Sequence, residues 1–92
     1  MKIEPRCGQL SVIGLGPGDP QHSTPAALQA LQQASDVVGY LPYVARAQAL
    51  WTTHDMAAQG TGAQPQWHAS DNREEIARAR QALALAAQGR RV

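Results

Sequence analysis

A loop of glycine, proline and one acid interrupts this 92-residue chain where an apolar run ends, and its sequence over residues 14–20 is GLGPGDP. Glycine has no side chain, so a ligand can approach the backbone closely at Gly14, Gly16 and Gly18. The apolar residues 10–15 (LSVIGL) are typical of a buried parallel strand. Because open α/β sheets bind small molecules at the carboxyl ends of their strands, we predict a ligand site at this loop.

The loop lacks the features of the known phosphate-binding motifs. The dinucleotide fingerprint G-x-G-x-x-G matches at Gly14 and Gly16, but position 19 is Asp. Pro17 removes an amide N–H that a phosphate needs, and the charge of Asp19 repels pyrophosphate. No Gly-Lys-Ser/Thr follows, so the P-loop pattern also fails. The loop suits a ligand other than a phosphate, held by backbone groups and shape; a purely structural turn is the alternative.

Two strand–helix units are predicted between residues 10 and 51. The first is the strand over residues 10–15 followed by a helix that Thr24 caps and Pro25 opens. The second is a strand over residues 36–40 (DVVGY) followed by a helix that begins near Pro42. This order predicts an α/β fold in which parallel β-strands alternate with helices.

A third helix is predicted over residues 72–88, after an irregular connection over residues 52–66 and a short strand over residues 67–69. Asp71 and Glu74 have the spacing of a capping box, and Gly89 ends the helix. The residues predicted to face the core are Tyr43, Ala47 and Leu50 in the second helix and Ile76, Leu83 and several alanines in the third; Glu74 and Arg78 are predicted to pair.

Charge and composition argue against several classes of protein. Eight basic and seven acidic residues give a net charge of +1, unlike the clustered positive charge of nucleic-acid-binding domains. No run approaches the roughly 18 apolar residues of a membrane span, and the N-terminus does not resemble a signal peptide. The single Cys7 fits a reducing compartment and not a zinc site, so we expect a cytoplasmic protein.

Three stretches carry a family resemblance: VIGLGPGDPQHSTPAALQALQQASDVVGY (residues 12–40), GYLPYV (39–44) and HASDNREEIARARQALALAAQGRRV (68–92). The first resembles the opening of the S-adenosylmethionine-dependent tetrapyrrole (precorrin) methyltransferases, whose first strand runs into G-x-G-P-G-D. The other two resemble the branch that acts on precorrin-3B, the C(17)-methyltransferases that contract the corrin ring in cobalamin synthesis. The resemblance covers nearly the whole chain except residues 52–66.

The resemblance implies that residues 1–92 are the N-terminal part of an α/β methylase domain. Residues 10–51 are then the two strand–helix units, 52–66 a connection, and 67–92 the last helix and the start of the next strand. A second domain, which would close a cleft over cofactor and substrate, is absent, as is the family's second glycine-rich motif after Val92. The intact enzyme is expected to be a homodimer, and Leu41 stands where related enzymes have a proton-transferring acid, so no catalytic residue is assigned.

Site residues follow from the same resemblance. The position matching Pro17 contacts S-adenosylmethionine, and Gly16 and Gly18 keep the approach open. A proline there fixes the backbone and offers a flat apolar ring to a cationic sulfonium. For the tetrapyrrole we expect contacts from Asp19, Tyr40 and Tyr43.

Other polar side chains have both functional and structural interpretations. Tyr40 and Tyr43 could stack on a tetrapyrrole or simply pack. Arg46 and Arg73 could pair with substrate carboxylates or be solvated. His68 near Asp71 is better explained by a helix cap than by catalysis. His22, His54 and His68 are too scattered for a metal site, so none is predicted. The alternative function is a small non-catalytic α/β module that binds a nucleotide or a protein.

Overall fold

A computed structural model describes residues 8–16, 23–56 and 64–92. Within these ranges the regular elements are, in chain order, helix α1 (Pro25–Gln33), strand β1 (Asp36–Tyr40), helix α2 (Leu41–Thr53), strand β2 (Gln66–Ser70), a 3-10 turn (Asn72–Glu74) and helix α3 (Glu75–Ala87). Within these described parts, no helix has the length and apolar character needed to cross a bilayer.

Strands β1 and β2 pair in parallel, in a register that runs from Asp36 opposite Gln66 to Tyr40 opposite Ser70. The predicted α/β class with parallel strands and helices is therefore confirmed. β1 has the bounds predicted for it, and β2 is one residue longer at each end than the short strand expected around Trp67.

Residues 90–92 lie between β1 and the segment that begins at Gly8. On one side Gln9 forms a parallel bridge with Arg91, and the Ser11 N–H donates to the Val92 carbonyl at 2.8 Å. On the other side the Ser35 N–H donates to the Arg91 carbonyl at 2.8 Å. Four segments therefore lie side by side, in the order residues 9–11, residues 90–92, β1 and β2. Residues 90–92 have an inner position in this order.

The strand predicted over residues 10–15 is not formed as a regular ladder. In the described part of the chain, residues 12–15 make no backbone-to-backbone hydrogen bond with another segment. A strand is defined by its partner, and the pairing here extends only to Ser11 and Val92. Residues 12–15 therefore have the composition of a strand but no neighbouring strand to pair with in the described part of the chain.

Helix ends follow the expected local chemistry. The Thr24 hydroxyl accepts from the Ala27 N–H at 3.1 Å and caps α1. Asp71 and Glu74 form the capping box that precedes α3. Gly89 has φ 90°, its N–H donates to Ala86, and the Arg90 N–H donates to Leu85, which is the Schellman arrangement that ends a helix.

The core lies between α2 and the sheet. Its buried residues are Leu31, Ala47, Leu50, Trp51 and Met56, with Ile13, Leu15, Leu28, Val37 and Trp67 packed against them. Ala47 and Leu50 are buried as predicted, but Tyr43 is exposed and Val44 takes the inner position. The predicted buried face of α2 is therefore confirmed at Ala47 and Leu50 and wrong at Tyr43, whose place Val44 takes.

The predicted buried face of α3 is also wrong. Ile76 is 71% exposed and Leu83 is 59% exposed. The composition indicates an apolar face correctly, but no described element covers these two side chains. An apolar pattern identifies a face that favours burial and not the partner that buries it.

A cluster of polar side chains links β1, β2 and residues 90–92 through Asp36, whose side chain is fully buried. Ser35 Oγ donates to it at 2.8 Å, His68 Nε2 lies 2.9 Å from Oδ1, and the Arg90 guanidinium donates at 3.2 and 3.3 Å. Burial raises the pKa of Asp36, but the hydrogen bonds from His68, Ser35 and Arg90, with the charge of Arg90, lower it, and the pKa lies below its usual value.

Replacing Asp36 by Asn should destabilise the fold, because His68 and Arg90 would then face a neutral amide. The expected loss in the free energy of unfolding is about 1–3 kcal/mol, measured by urea denaturation at pH 7 with tryptophan fluorescence. The matched control is Asp55→Asn, an exposed carboxylate at φ 48°, a conformation that Asn tolerates well. It should change stability by less than about 0.5 kcal/mol.

The difference in stability between the wild-type chain and Asp36→Asn should depend on pH. The folded-state pKa of Asp36 is lowered, so its contribution is complete above the unfolded-state pKa of about 3.9 and is lost as pH falls through the folded-state value. The advantage of the wild-type chain over Asp36→Asn should therefore shrink as the pH falls below about 4. A difference that stayed constant between neutral and acidic pH would contradict this role.

Candidate functional site

The candidate site lies at the edge of the sheet where the parallel strands end. β1 ends at Tyr40 and β2 at Ser70, and these residues are opposite each other in the register. The segment from Gln9 runs parallel to residues 90–92, and the Gly16 carbonyl at its far end is bound by Arg46 of α2, the helix that begins directly after β1. The predicted position of the glycine loop, at the carboxyl ends of the strands, is consistent with this arrangement.

Gly16 has φ 78°, the left-handed region that favours glycine. The carbonyl groups before the loop are held by side chains from other segments. The Arg46 guanidinium donates to the Gly16 carbonyl, and the Ser23 hydroxyl donates to the Leu15 carbonyl at 3.1 Å. The backbone therefore enters the loop in an orientation fixed by α2 and by the residue before the α1 cap.

Two tyrosines and an arginine form a second group at this edge. The rings of Tyr40 and Tyr43 meet edge to face, with centroids 5.9 Å apart and an interplanar angle of 73°. The Arg78 guanidinium lies over the Tyr40 ring, 5.9 Å from its centroid. The structure thus brings the two predicted tyrosines together and leaves Tyr43 exposed.

Arg78 joins α3 to the end of β2. It donates to Ser70 Oγ at 3.2 Å and to the Asp71 carbonyl. Beside it, a cavity of about 410 Å³ is lined by Tyr40, Leu41, Ala69, Ser70 and Asp71. The cavity is bordered by the Tyr40 ring and the Ser70 hydroxyl, both of which Arg78 contacts, so an aromatic surface, a hydroxyl and a cation lie close together, which suits a flat, acidic ligand.

Arg78 is a site residue that the sequence analysis missed. The i,i+4 spacing assigned it to Glu74, but Glu74 instead accepts the Asp71 N–H at 3.1 Å in the capping box. The capping-box spacing was itself visible in the sequence, and it competes for the same carboxylate. The sequence therefore indicates that the Asp71 N–H and Arg78 compete for the Glu74 carboxylate, and that Arg78 needs another partner if the capping box forms.

The remaining predicted residues have different outcomes. Pro17, Gly18 and Asp19 lie outside the described residues, as do Cys7 and His22. Arg46 is bound to the Gly16 carbonyl, so its contact in the structure is with the loop backbone. His68 contacts Asp36 and, through Nδ1, Gln81 at 3.3 Å, which places it in the Asp36 cluster and not with Asp71. Over residues 8–16, 23–56 and 64–92, no three His, Cys, Asp or Glu side chains form a group that could hold a metal ion.

Comparison with known proteins gives one family. Residues 9–92 match the family described as Tetrapyrrole (Corrin/Porphyrin) Methylases. Over 85 residues, 92% of this chain, the sequence is 40% identical to the cobalamin biosynthesis protein CobIJ of Mycobacterium bovis, 34% to the cobalt-factor III methyltransferase of Priestia megaterium and 39% to the precorrin-3B C(17)-methyltransferase of a Sinorhizobium species.

The matched region is a small part of these relatives. It spans 14% of the length of the first two proteins and 29% of the third. No solved structure matches the chain significantly.

Substitution by alanine should have different effects on stability at Gly14 and Gly16, the two glycines of the loop that the structure describes. Gly16→Ala places a side chain in the left-handed region and should lower the free energy of unfolding by about 1 kcal/mol. Gly14→Ala is the control, because a Cβ there meets nothing within 4 Å, and it should change stability by less than about 0.5 kcal/mol. Urea denaturation measures both, and equal effects would show that the left-handed backbone at Gly16 is not retained.

Proposed function

Since the chain belongs to the tetrapyrrole (corrin/porphyrin) methylases, we propose that it forms the donor-binding part of an S-adenosylmethionine-dependent methyltransferase of cobalamin biosynthesis. S-adenosylmethionine supplies an electrophilic methyl group on a sulfonium, and the protein aligns it with a nucleophilic carbon of the tetrapyrrole. The proposed donor contacts are Gly16, Pro17 and Gly18, as expected from the sequence.

The observation that carries this proposal is the fixed backbone at Gly16. Gly16 places no side chain between the loop and a ligand, its left-handed φ favours glycine at this position, and the Arg46 guanidinium fixes the peptide group by binding the Gly16 carbonyl. Because that carbonyl is already bound to a cation, the contact proposed for the sulfonium is the apolar ring of Pro17. A sulfonium gains nothing from a phosphate-binding nest of N–H groups, and Pro17 has no N–H.

For the methyl acceptor we propose precorrin-3B, with contraction of the corrin ring. The name of one relative states this substrate and its methylation at C(17), and another relative is named for cobalt-factor III. A tetrapyrrole is flat and carries carboxylate side chains, which fits the aromatic pair Tyr40 and Tyr43 beside Arg78. Asp19 is proposed as a further substrate contact.

The proposal includes the location, oligomeric state and partners of the enzyme. We propose that it is a cytoplasmic homodimer that acts on a small-molecule substrate and has no membrane or nucleic-acid partner. A net charge of +1 supports the last point, because nucleic-acid binding needs a concentrated positive field.

A chimeric enzyme tests the proposal directly. Residues 9–92 of this chain replace the matching region of the Sinorhizobium precorrin-3B C(17)-methyltransferase, and methyl transfer is measured with precorrin-3B and, separately, with cobalt-factor III. We expect turnover with precorrin-3B and calorimetric binding of S-adenosylhomocysteine that Pro17→Ala weakens by about tenfold. A folded chimera that binds ATP but not S-adenosylhomocysteine would support the nucleotide-binding alternative and overturn the methyltransferase proposal.

Tyr43 provides a test of the substrate contact. Its side chain is 55% exposed, so Tyr43→Ala removes an aromatic surface with little structural cost. In the chimera this change should raise the KM for the tetrapyrrole about fivefold to tenfold and leave the KM for S-adenosylmethionine unchanged. Tyr43→Phe should retain the wild-type KM, since the ring remains. Equal changes in both KM values would assign Tyr43 to packing.

A further inference from the structure

Arg46 is the one charged side chain on α1, the helix that follows the glycine loop, and on α2, the helix that contacts the loop. The sequence of α1 is PAALQALQQ and that of α2 is LPYVARAQALWTT, so neither helix carries an acidic residue. Arg46 is half-buried, and its guanidinium donates to the carbonyl of Gly16. The fold therefore places a positive charge directly against the loop backbone.

No carboxylate in the described part of the chain neutralises this charge. The ion pairs there join Asp36 to His68 and to Arg90. Among the described residues Arg46 bonds through Nη2, and a guanidinium carries five N–H donors. Arg46 therefore has both the charge and the donors to bind an anion while it holds the Gly16 carbonyl.

The two carbonyl groups at the start of the loop are already engaged by side chains. Ser23 Oγ donates to the Leu15 carbonyl at 3.1 Å, and the Arg46 guanidinium donates to the Gly16 carbonyl. A guanidinium repels another cation and attracts an anion. The surface at Gly16 therefore disfavours a sulfonium and favours a carboxylate.

S-adenosylmethionine carries both kinds of charged group. A short carbon chain joins its sulfonium to the α-carboxylate of its amino-acid portion. The proposed contact of the sulfonium is Pro17, the residue directly after Gly16, so neighbouring positions of the loop are matched to the two ends of that short chain. The charges favour the orientation in which the carboxylate lies toward Arg46.

We propose that Arg46 binds the α-carboxylate of S-adenosylmethionine and so sets the direction in which the methyl donor lies along the loop. This role rests on the proposed function and adds a donor-binding residue from α2 to the contacts expected from the loop itself. The same guanidinium then has two partners, because its bond to Gly16 positions the loop and its bond to the carboxylate orients the donor.

A carboxylate of the tetrapyrrole is the competing partner for Arg46. Tyr43, the proposed tetrapyrrole contact, lies three residues before Arg46 on α2, so the two residues share one side of the helix. The cation at the tyrosine pair is Arg78, however, whose guanidinium lies over the Tyr40 ring. Because Arg46 is bound to the loop, we assign the donor carboxylate to Arg46 and a substrate carboxylate to Arg78.

The test measures ligand binding to the chimeric enzyme by calorimetry. The two ligands are S-adenosylhomocysteine and its decarboxylated analogue, which keeps the adenosine, the sulfur and the amine. With Arg46 intact, S-adenosylhomocysteine should bind at least about tenfold more tightly than the analogue, as expected for a charge-assisted hydrogen bond. In Arg46→Gln this ratio should fall to about twofold or less. Loss of the contact with Gly16 weakens both ligands alike, so the ratio of the two affinities isolates the carboxylate.

Two further variants separate the charge of Arg46 from a general effect of removing an arginine. Arg46→Lys keeps a cation without the planar fork and should retain a ratio of at least about threefold. Arg80→Gln removes an exposed arginine of α3 and is the matched control, so its ratio should stay within about twofold of that of the unchanged chimera.

A direct readout is the side-chain NMR signal of Arg46 in a chimera with isotope-labelled arginine, identified by its loss in Arg46→Gln. This signal should shift when S-adenosylhomocysteine is added and should change much less with the decarboxylated analogue, because only the first ligand brings an anion to the guanidinium.

Three results would overturn this role of Arg46. The first is an equal affinity ratio in Arg46→Gln and in the unchanged chimera, with S-adenosylhomocysteine bound by both, and this result leaves the proposed function standing. The second is a rise in the KM for the tetrapyrrole in Arg46→Gln without a change in the KM for S-adenosylmethionine, which would assign Arg46 to the substrate. The third is failure of the unchanged chimera to bind either ligand, which overturns the proposed function as well.

Discussion

The buried carboxylate of Asp36 is the constraint on which the arrangement of the sheet depends. It lies at the start of β1 and contacts His68 in the middle of β2 and Arg90 of the last described segment, so one charge joins three neighbouring segments. A fully buried carboxylate is tolerated only when its oxygens are paired. An arrangement that moved Arg90 and His68 away from Asp36 would leave this carboxylate buried and unpaired, so its burial favours the observed neighbours.

The polar groups at the two edges of the sheet differ in how accessible they are to a ligand. At the amino edge, Asp36, Ser35, His68 and Arg90 bond to one another and leave the Asp36 carboxylate no exposure. At the carboxyl edge, the carbonyl of Gly16 and the rings of Tyr40 and Tyr43 are bound at one side and open at the other. A binding surface needs groups that are oriented by the protein and still accessible to a ligand. Among the described residues of the two edges, those of the carboxyl edge meet this requirement, which agrees with the general location of ligand sites in parallel α/β sheets.

Local chemistry was predictable from the sequence, and contacts between distant residues were not. The Thr24 cap, the bounds of β1, the Asp71 capping box and the stop at Gly89 depend on residues within a few positions of one another. The Asp36–His68 contact joins residues 32 positions apart, and no periodicity in the sequence signals it. In α2 the prediction was wrong at one position, because Tyr43 and Val44 are both apolar enough to be buried and Val44 takes the inner position. The predicted strand over residues 10–15 lacks a backbone partner along residues 12–15, and in the predicted buried face of α3 no described element covers Ile76 and Leu83. The left-handed backbone at Gly16 agrees with the predicted need for glycine there, whereas the proposed ligand contacts of Gly16, Pro17, Gly18 and Asp19 stay predictions.

Arg78 connects α3 to the carboxyl edge of the sheet. Its guanidinium lies over the Tyr40 ring and donates to Ser70 Oγ and to the Asp71 carbonyl, so three contacts hold it at the ends of β1 and β2. A carboxylate of a tetrapyrrole bound at this edge would be attracted to the guanidinium. Helix α3, none of whose residues is buried in the described part of the chain, therefore contributes a cation to the surface proposed for the substrate.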